Sequence, residues 1–523
     1  MIKNIKLFCI FSVVIIFATL IFFVVLHSDD FAPKEEINEI VKEEKISLLI
    51  IEPDYINPLI SYNKYVQEIS NLVFDGLTKL DDTLKPQPSL AKTFIPNNDL
   101  TEWEVTLRDD VFFHDNTKFS ADDVVFTINK IKELGDSSYF AYNVENVESV
   151  SKVSDFVVKF KLKTSDNFLM NKMTLPILSK SYYSGRKLED ADVYVGTGLY
   201  RQIEVSDTNM RLTSFDNYYS KVNGNIKNIY VFITGKNRPG FELLKLDEID
   251  IADTDTDVGA YGRSAYSSSK YVTSVFEGII FSPENEALKD NVVRQAILLG
   301  INRDLIVENY LSGYGVSVDL PVNPNSYLVN KNLSKNSFNP EKAQDILTNN
   351  GWVNNVALGC RNKGMQKLQF NLLVNSDNEN SKGKAEFIKN NLKNIGIDVN
   401  VVAKSATLYN TAIAEHEYDL ALTDWAISEY PEFLYNFESN SKDNIFGFSN
   451  ADYDYYVFMA RTEFLDGKTK EYFDKLQEIL IKELPIAGIY FETSTVYYNQ
   501  KMEGKLNPTI NNIYAGLGDI IKK

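Results

Sequence analysis

The side chains that could carry chemistry are few and badly spaced for catalysis. The chain has three histidines, His27, His114 and His416. Neither His114 nor His416 sits in an H-x-x-x-H or H-E-x-x-H context, so the sequence gives no reason to expect a zinc site. No G-x-S-x-G nucleophile elbow occurs. Asp122 and Asp123 are neighbours that point in different directions on a helix, and they read as caps. Gly196-Thr197-Gly198 imitates part of a phosphate loop but lacks the lysine and the helix such a loop needs. What stands out is a run at the end of a predicted strand, Trp425-Ala426-Ile427-Ser428-Glu429-Tyr430-Pro431-Glu432, with Tyr435, Phe437, Tyr453, Tyr455 and Tyr456 close behind. Aromatic faces in that number suit stacking on a ligand, or a core, and they break no bonds.

Charge and targeting narrow the choice further. A formal net charge of −18 over 523 residues argues against nucleic acid, because phosphate binding needs clustered Lys and Arg. The same charge attracts cations weakly and over a short range, and it also keeps an extracellular protein soluble. Residues 1–6 carry two lysines, and 7–26 carry no charge at all. About 20 apolar residues at about 1.5 Å each span a bilayer's hydrocarbon core. Val24-Val25-Leu26-His27-Ser28 is a poor cleavage site, and Cys9 comes too early to be a lipid-modified cysteine. The expectation is therefore an uncleaved signal anchor over 7–26, with 1–6 cytoplasmic, an acidic spacer over 27–45, and the rest on the extracytoplasmic face. Beyond the anchor the one cysteine is Cys360, which excludes an internal disulfide and fits a small apolar residue in a hairpin.

The elements that must position any site are legible in places. Trp103 to Leu107 alternates apolar and polar residues, the pattern of a half-buried strand. Asp115-Asn116 supplies a turn with Asn116 at positive φ. Ser120 is a natural N-cap, with Asp122 and Asp123 in the first turn of the helix that follows. Phe156 to Leu162 alternates again. Asp290 caps a helix whose apolar residues recur every three or four positions. Arg294 on that helix is expected to be structural, paired with an acid such as Asp304 or with a helix C-terminus. Pro340 opens and Gly351 closes another helix. Some 475 residues after the spacer are too many for a single core.

Read in order, Phe74-Asp75-Gly76-Leu77, Pro88-Ser89-Leu90-Ala91, Trp103 to Asp115 and Phe119 to Val124 resemble the N-terminal signature of the extracellular solute-binding proteins, family five, which bind peptides or nickel for ATP-driven importers. Gly196 to Tyr200, Asn217 to Tyr219, Leu288 to Arg303, Pro340 to Trp352 and Asn394 to Val399 each echo a further family pattern. Leu199 stands where the family has proline, and Tyr219 where it has tryptophan. The resemblance implies an α/β fold of the periplasmic-binding-protein-like type II class, bilobal with an extra lobe, with mixed sheets and a hinged cleft. Lobe I would comprise 46–80, 195–275 and 494–523, lobe II 81–194, and lobe III 276–493, with Gly196 to Gly198 as a hinge where the chain crosses back into lobe I.

By the same resemblance the loop carrying Tyr62, Asn63 and Tyr65 lines the cleft. Trp425, Ala426, Ser428, Glu429 and Tyr430 correspond to a segment that offers backbone groups to an extended peptide and a carboxylate to its amino terminus. Ser428 takes the carboxylate position in an ungapped reading, and Glu429 takes it if one residue is inserted. Trp425 is expected to face the cleft. The implied partners are a peptide ligand and ABC permease subunits, with the protein a monomer and no cofactor or metal of its own. A nickel chelate, another solute, or a peptide signal sensed rather than imported are the alternatives.

Overall fold

The computed structural model describes residues 45–523, apart from 190–192, 236–238, 257 and 465. The expected anchor and all of the spacer except Lys45 lie outside the described residues. Among the described residues no helix is long and apolar enough to cross a membrane. Residues 45–523 form one unit.

The chain enters on β1 (Lys45–Ile51), a nearly continuous apolar run, and turns into helix α1 (Lys64–Val73). An antiparallel sheet follows from β2 (Ala91–Pro96), β3 (Glu102–Leu107), β4 (Val147–Ser154) and β5 (Val157–Leu162), in the order β2-β3-β5-β4. The alternation read in Trp103 to Leu107 puts Trp103, Val105 and Leu107 in the core. Helix α2 (Ala121–Leu134) packs beside this sheet, and the Ser120 N–H donates to Asp123 Oδ2 at 2.9 Å, half of a capping box. Asn116 has φ +64°, as its turn requires.

The chain returns as β6 (Tyr200–Val205), β7 (Asn209–Ser214) and β8 (Asn228–Thr234), which join β1 in the order β1-β8-β7-β6. The first pair is parallel, with Lys45 opposite Asn228 and Ile51 opposite Thr234. Then come β9 (Ile251–Thr254) and the 16-residue β10 (Tyr266–Phe281), followed by helix α3 (Asn291–Gly300). Asp290 Oδ1 accepts from the Val292 N–H at 3.0 Å and caps α3. Arg294 donates to the carbonyls of Leu288 and Glu483, so it secures helix C-terminal ends. Strand β11 (Gln369–Asn375), helix α4 (Ser381–Lys393), β12 (Asp398–Lys404), β13 (Leu420–Ala426) and the 14-residue β14 (Ile486–Asn499) complete the second large sheet. Its order is β9-β14-β10-β13-β11-β12, with Gly315–Ser317 added to β14.

Strands β10 and β14 are the spine. They pair from Tyr266 opposite Asn499 to Ile280 opposite Ile486. One end of the pair belongs to the core that holds Ile46, Trp103 and Tyr498, and the other to cores holding Phe276, Ile279 and Ile486. Their register shifts between Val272 and Phe276, leaving Thr273 to Val275 outside the β10–β14 pairing. Just past that bulge, Glu277 of β10 meets Lys384 of α4, both side chains 3% exposed, and Lys384 also donates to Tyr490 Oη of β14 at 2.9 Å. Cys360 is buried at the start of a strand in a small antiparallel sheet.

The glycine crossing differs from the expected hinge. Neither Gly196 nor Gly198 has positive φ. A Cβ on Gly196 would come within 2.1 Å of the Val73 carbonyl oxygen, and one on Gly198 within 2.6 Å of the Val73 carbonyl carbon. The Gly198 N–H donates to that oxygen at 2.8 Å. His114 locks the segment from the other side: its Nδ1 accepts from the Gly196 N–H at 3.3 Å, and its Nε2 lies 2.9 Å from the Gly198 carbonyl, to which it donates. Glycine is present because the C-terminus of α1 presses against this backbone, which makes the crossing a clamp.

Candidate functional site

A cavity of about 950 Å³ opens between the α1 side of the molecule, residues 139–143, the β10 bulge, the segment after β13, and the loop 509–519. The entry to α1 is fixed first. Asn63 Oδ1 accepts from the N–H groups of Tyr65 and Val66, and its Nδ2 donates to the carbonyls of Ile51 and Glu52, both at 2.8 Å. Asn63 is therefore an N-cap that ties α1 to the end of β1, and it does not line this cavity. Tyr65 lies on the far side of Lys64, against a second cavity of about 640 Å³. Tyr62 does line the main cavity and is 58% exposed. Its hydroxyl donates to the Asp136 and Ser138 carbonyls, and its ring meets Tyr139 edge-on at 5.6 Å.

The segment after β13 divides in the same way. Trp425 turns into an aromatic cluster, stacked on Phe276 at 5.8 Å and edge-on to Phe433 at 5.7 Å, and does not line the cavity. Period-two alternation places it on the same side of the chain as the buried Ile427, and packing on Phe276 secures it there. Ala426 is exposed and does not itself line the cavity, though it pairs with Val275 of the cavity wall at the end of the β10–β13 ladder. Ser428, Glu429 and Tyr430 line the cavity. Ser428 Oγ donates to the Tyr430 carbonyl at 3.0 Å, which closes the turn and uses the hydroxyl's proton locally. Tyr430, 2% exposed, packs on Phe168 at 4.8 Å between ring centres.

Glu429 is the acid of this wall. Its Oε1 accepts from Asn511 Nδ2 at 3.0 Å, and no ion pair to it is recorded among the described residues. Burial, the largest influence, raises its carboxyl above the ordinary range, with the Asn511 bond opposing and Glu432 adding to the rise. By contrast Glu432, three residues on, is taken up by Lys172 at 3.5 Å and by the Tyr142 hydroxyl. Between the two sequence candidates, geometry gives Glu429 the free carboxylate and Ser428 the turn.

Several wall residues were not anticipated. Asp75 lines the cavity beside Thr197, whose hydroxyl donates to it at 3.1 Å, and burial pushes its carboxyl up to about 6. Glu68 of α1 is 7% exposed and shares Lys64 with Asp253. Asn71 Nδ2 donates to the Asn511 carbonyl at 2.7 Å, so the C-terminal loop is stitched across the cavity to α1. The Glu68 signal was present in the sequence, as a carboxylate among Val66, Ile69, Leu72 and Val73 on the buried face of α1. It was masked by Lys64, because an i,i+4 Lys–Glu pair reads as a solvated surface pair.

The cavity is walled by separate parts of the chain about a shared strand pair, with hydroxyls, amides and carboxylates facing inward, which is the form of a ligand-binding cleft. Residues 85–445 match the bacterial extracellular solute-binding proteins, family 5, middle region, and the chain belongs to that family. It is 26% identical over 476 residues to the oligopeptide-binding protein AppA of Bacillus subtilis, covering 87% of each chain. The structure of that AppA with a nonapeptide superposes with a TM-score of 0.60 at 21% identity, covering 92% of this chain and 99% of the other. The unliganded open form of the murein tripeptide-binding protein MppA superposes with a TM-score of 0.80 at 18% identity, over 92% and 98%. NikZ of Campylobacter jejuni, in complex with Ni(L-His), gives 0.64 at 24%, over 92% and 100%. The fold is that of the type II periplasmic binding proteins.

Proposed function

We propose that the protein captures short peptides in the 950 Å³ cavity and hands them to the permease of an ABC importer. One observation carries this reading: Glu429 stands half-buried in the cavity wall, bonded to an amide and to no cation among the described residues. A ligand ammonium supplies the missing charge and fixes the register of an extended chain. Tyr62, Ser428 and Tyr430 line the path beside it, and the Thr273 to Val275 bulge brings irregular backbone to the same wall. The cavity is at the upper end of the size of small-ligand sites, about 300–1,000 Å³. AppA, which shares this fold and family, holds a nonapeptide.

In this reading lobes I, II and III carry the limits given above and close on the ligand by bending in the β10–β14 pair, since the glycine crossing is clamped. The protein acts from the outer face of the membrane, held by its N-terminal segment, and leaves peptides intact. The test is calorimetry with a peptide pool, alongside the same peptides N-acetylated and Ni(L-His), followed by mass spectrometry of the recovered ligand. Free peptides should bind and return uncut. Acetylation and Glu429→Gln should each weaken binding ten-fold or more, and the two losses should not add. Binding of Ni(L-His) alone would replace the peptide reading with the chelate, and cut peptides would replace it with an enzyme.

A further inference from the structure

The cavity contains a second carboxylate whose charge the chain does not balance. Glu68 faces the cavity from α1, and among the described residues the one cation paired with it is Lys64, one turn earlier, at 3.7 Å. That ammonium is committed elsewhere, standing 2.5 Å from Asp253 Oδ2 on β9. Asp253 is further satisfied by the Tyr271 hydroxyl of β10 at 2.9 Å and the Ser494 hydroxyl of β14 at 2.6 Å. Two enclosed carboxylates thus compete for one lysine, and Asp253 holds the better share. Among the described residues the other titratable groups that face Glu68 are phenols: Tyr65 of α1, Tyr139 of the 139–143 segment, Tyr271 of β10 and Tyr514 of the C-terminal loop. None of them brings positive charge. Burial pushes the Glu68 carboxyl up to about 8, with Lys64 opposing and Asp253 adding to the rise.

We propose that Glu68 selects for a basic group on the ligand: an ammonium or guanidinium entering the cavity takes the place of the proton on Glu68, and that proton leaves to solvent. This rests on the peptide reading of the same cavity and names the side-chain chemistry that the cavity favours. It is separate from recognition of the amino terminus, which falls to Glu429. A neutral ligand of the same length leaves Glu68 protonated and exchanges nothing.

The test uses the full-length chain and paired tripeptides: Lys-Ala-Ala, Ala-Lys-Ala and Ala-Ala-Lys, each against its norleucine counterpart. Affinities are measured by calorimetry from pH 6 to 8.5, in two buffers of different ionisation heat. At the position that reaches Glu68, the preference for lysine over norleucine should rise with pH, up to about ten-fold per unit below pH 8, and one proton should be released per lysine peptide. The amino terminus titrates in both partners of a pair, so the ratio isolates the side chain. Glu68→Gln should flatten the pH dependence and lower the lysine preference at pH 8.5 by ten-fold or more. Asp253→Asn, which returns Lys64 to Glu68, should abolish proton release without removing the carboxylate. A preference that is flat with pH at all three positions, or unchanged in Glu68→Gln, overturns the inference and leaves the peptide reading standing. Failure of every tripeptide to bind overturns both.

Discussion

Two enclosed charge groups in this protein are built on opposite accounting. Just past the β10 bulge, Glu277 and Lys384 form a close buried pair, with Tyr490 as a further acceptor for the lysine and Asp424 and Glu492 nearby. At the cavity, Glu68 and Asp253 share a single Lys64. The first pairs a buried carboxylate and a buried ammonium at close range, away from the cavity wall. The second divides one lysine between two acids on the cavity side, and on the peptide reading that is where a ligand cation is expected. A close buried pair is thus expected to act as scaffold, and a shared lysine at a cavity to leave an acid for a ligand.

The largest effect expected from breaking the close pair is that of Lys384→Met. It strands Glu277 in the core and should cost about 3–5 kcal/mol in denaturant unfolding. The double variant with Glu277→Leu should recover most of that. A loss below about 1 kcal/mol in the single variant would show that the pair is not the scaffold described here.

His114 sharpens the same contrast through pH. Burial pushes it down to about 4, from an ordinary 6.5, because the clamp needs it neutral. The unfolded chain takes up a proton below about 6.5 that the folded chain refuses until about 4. Stability from this group is thus complete above pH 6.5 and is lost as pH falls toward 4, by about 2–3 kcal/mol. Unfolding titrations of wild type and His114→Gln should converge toward pH 4, and parallel curves would remove His114 from the clamp. Gly196→Ala, which sets a methyl against the Val73 carbonyl, should cost about 1–3 kcal/mol in thermal melts without altering ligand contacts.

The cavity side responds to pH in the opposite direction. Folded Glu68 keeps its proton to about pH 8, whereas an ordinary glutamate releases it near 4.5. The folded state therefore binds more protons across that window, and stability falls as pH rises through it. Glu68→Gln removes the penalty, so the ligand-free variant should gain about 4 kcal/mol on wild type between pH 4 and pH 8.5, all of it above pH 4.5. A variant less stable than wild type at pH 8.5 would mean that Glu68 is balanced after all.

Much of the scaffold was legible because it is local. The alternation at Trp103, the cap at Ser120, the turn at Asn116 and the cap at Asp290 each depend on residues within a few positions, and each appears as read. The cavity was only partly legible. Tyr62, Ser428, Glu429 and Tyr430 reach it, while Asn63 is consumed as a cap and Trp425 as core. The decisive partners are remote: Asp253 lies 189 positions from Lys64, and Asn511 lies 82 from Glu429. No periodicity connects such pairs. The tight packing of the glycine crossing was hidden for a related reason, since its constraint comes from Val73 on another element and not from its own torsions.

The hydrogen bond from Asn71 to Asn511 joins positions 440 apart. In the order in which a ribosome makes the chain, these two walls of the cavity are separated by about 20–90 s at typical elongation rates. Until Asn511 has been made, the α1 wall can pack into its own core but lacks the loop that is stitched to it. The closed form of the pocket is thus a late product of a long-range contact, and not of any local element.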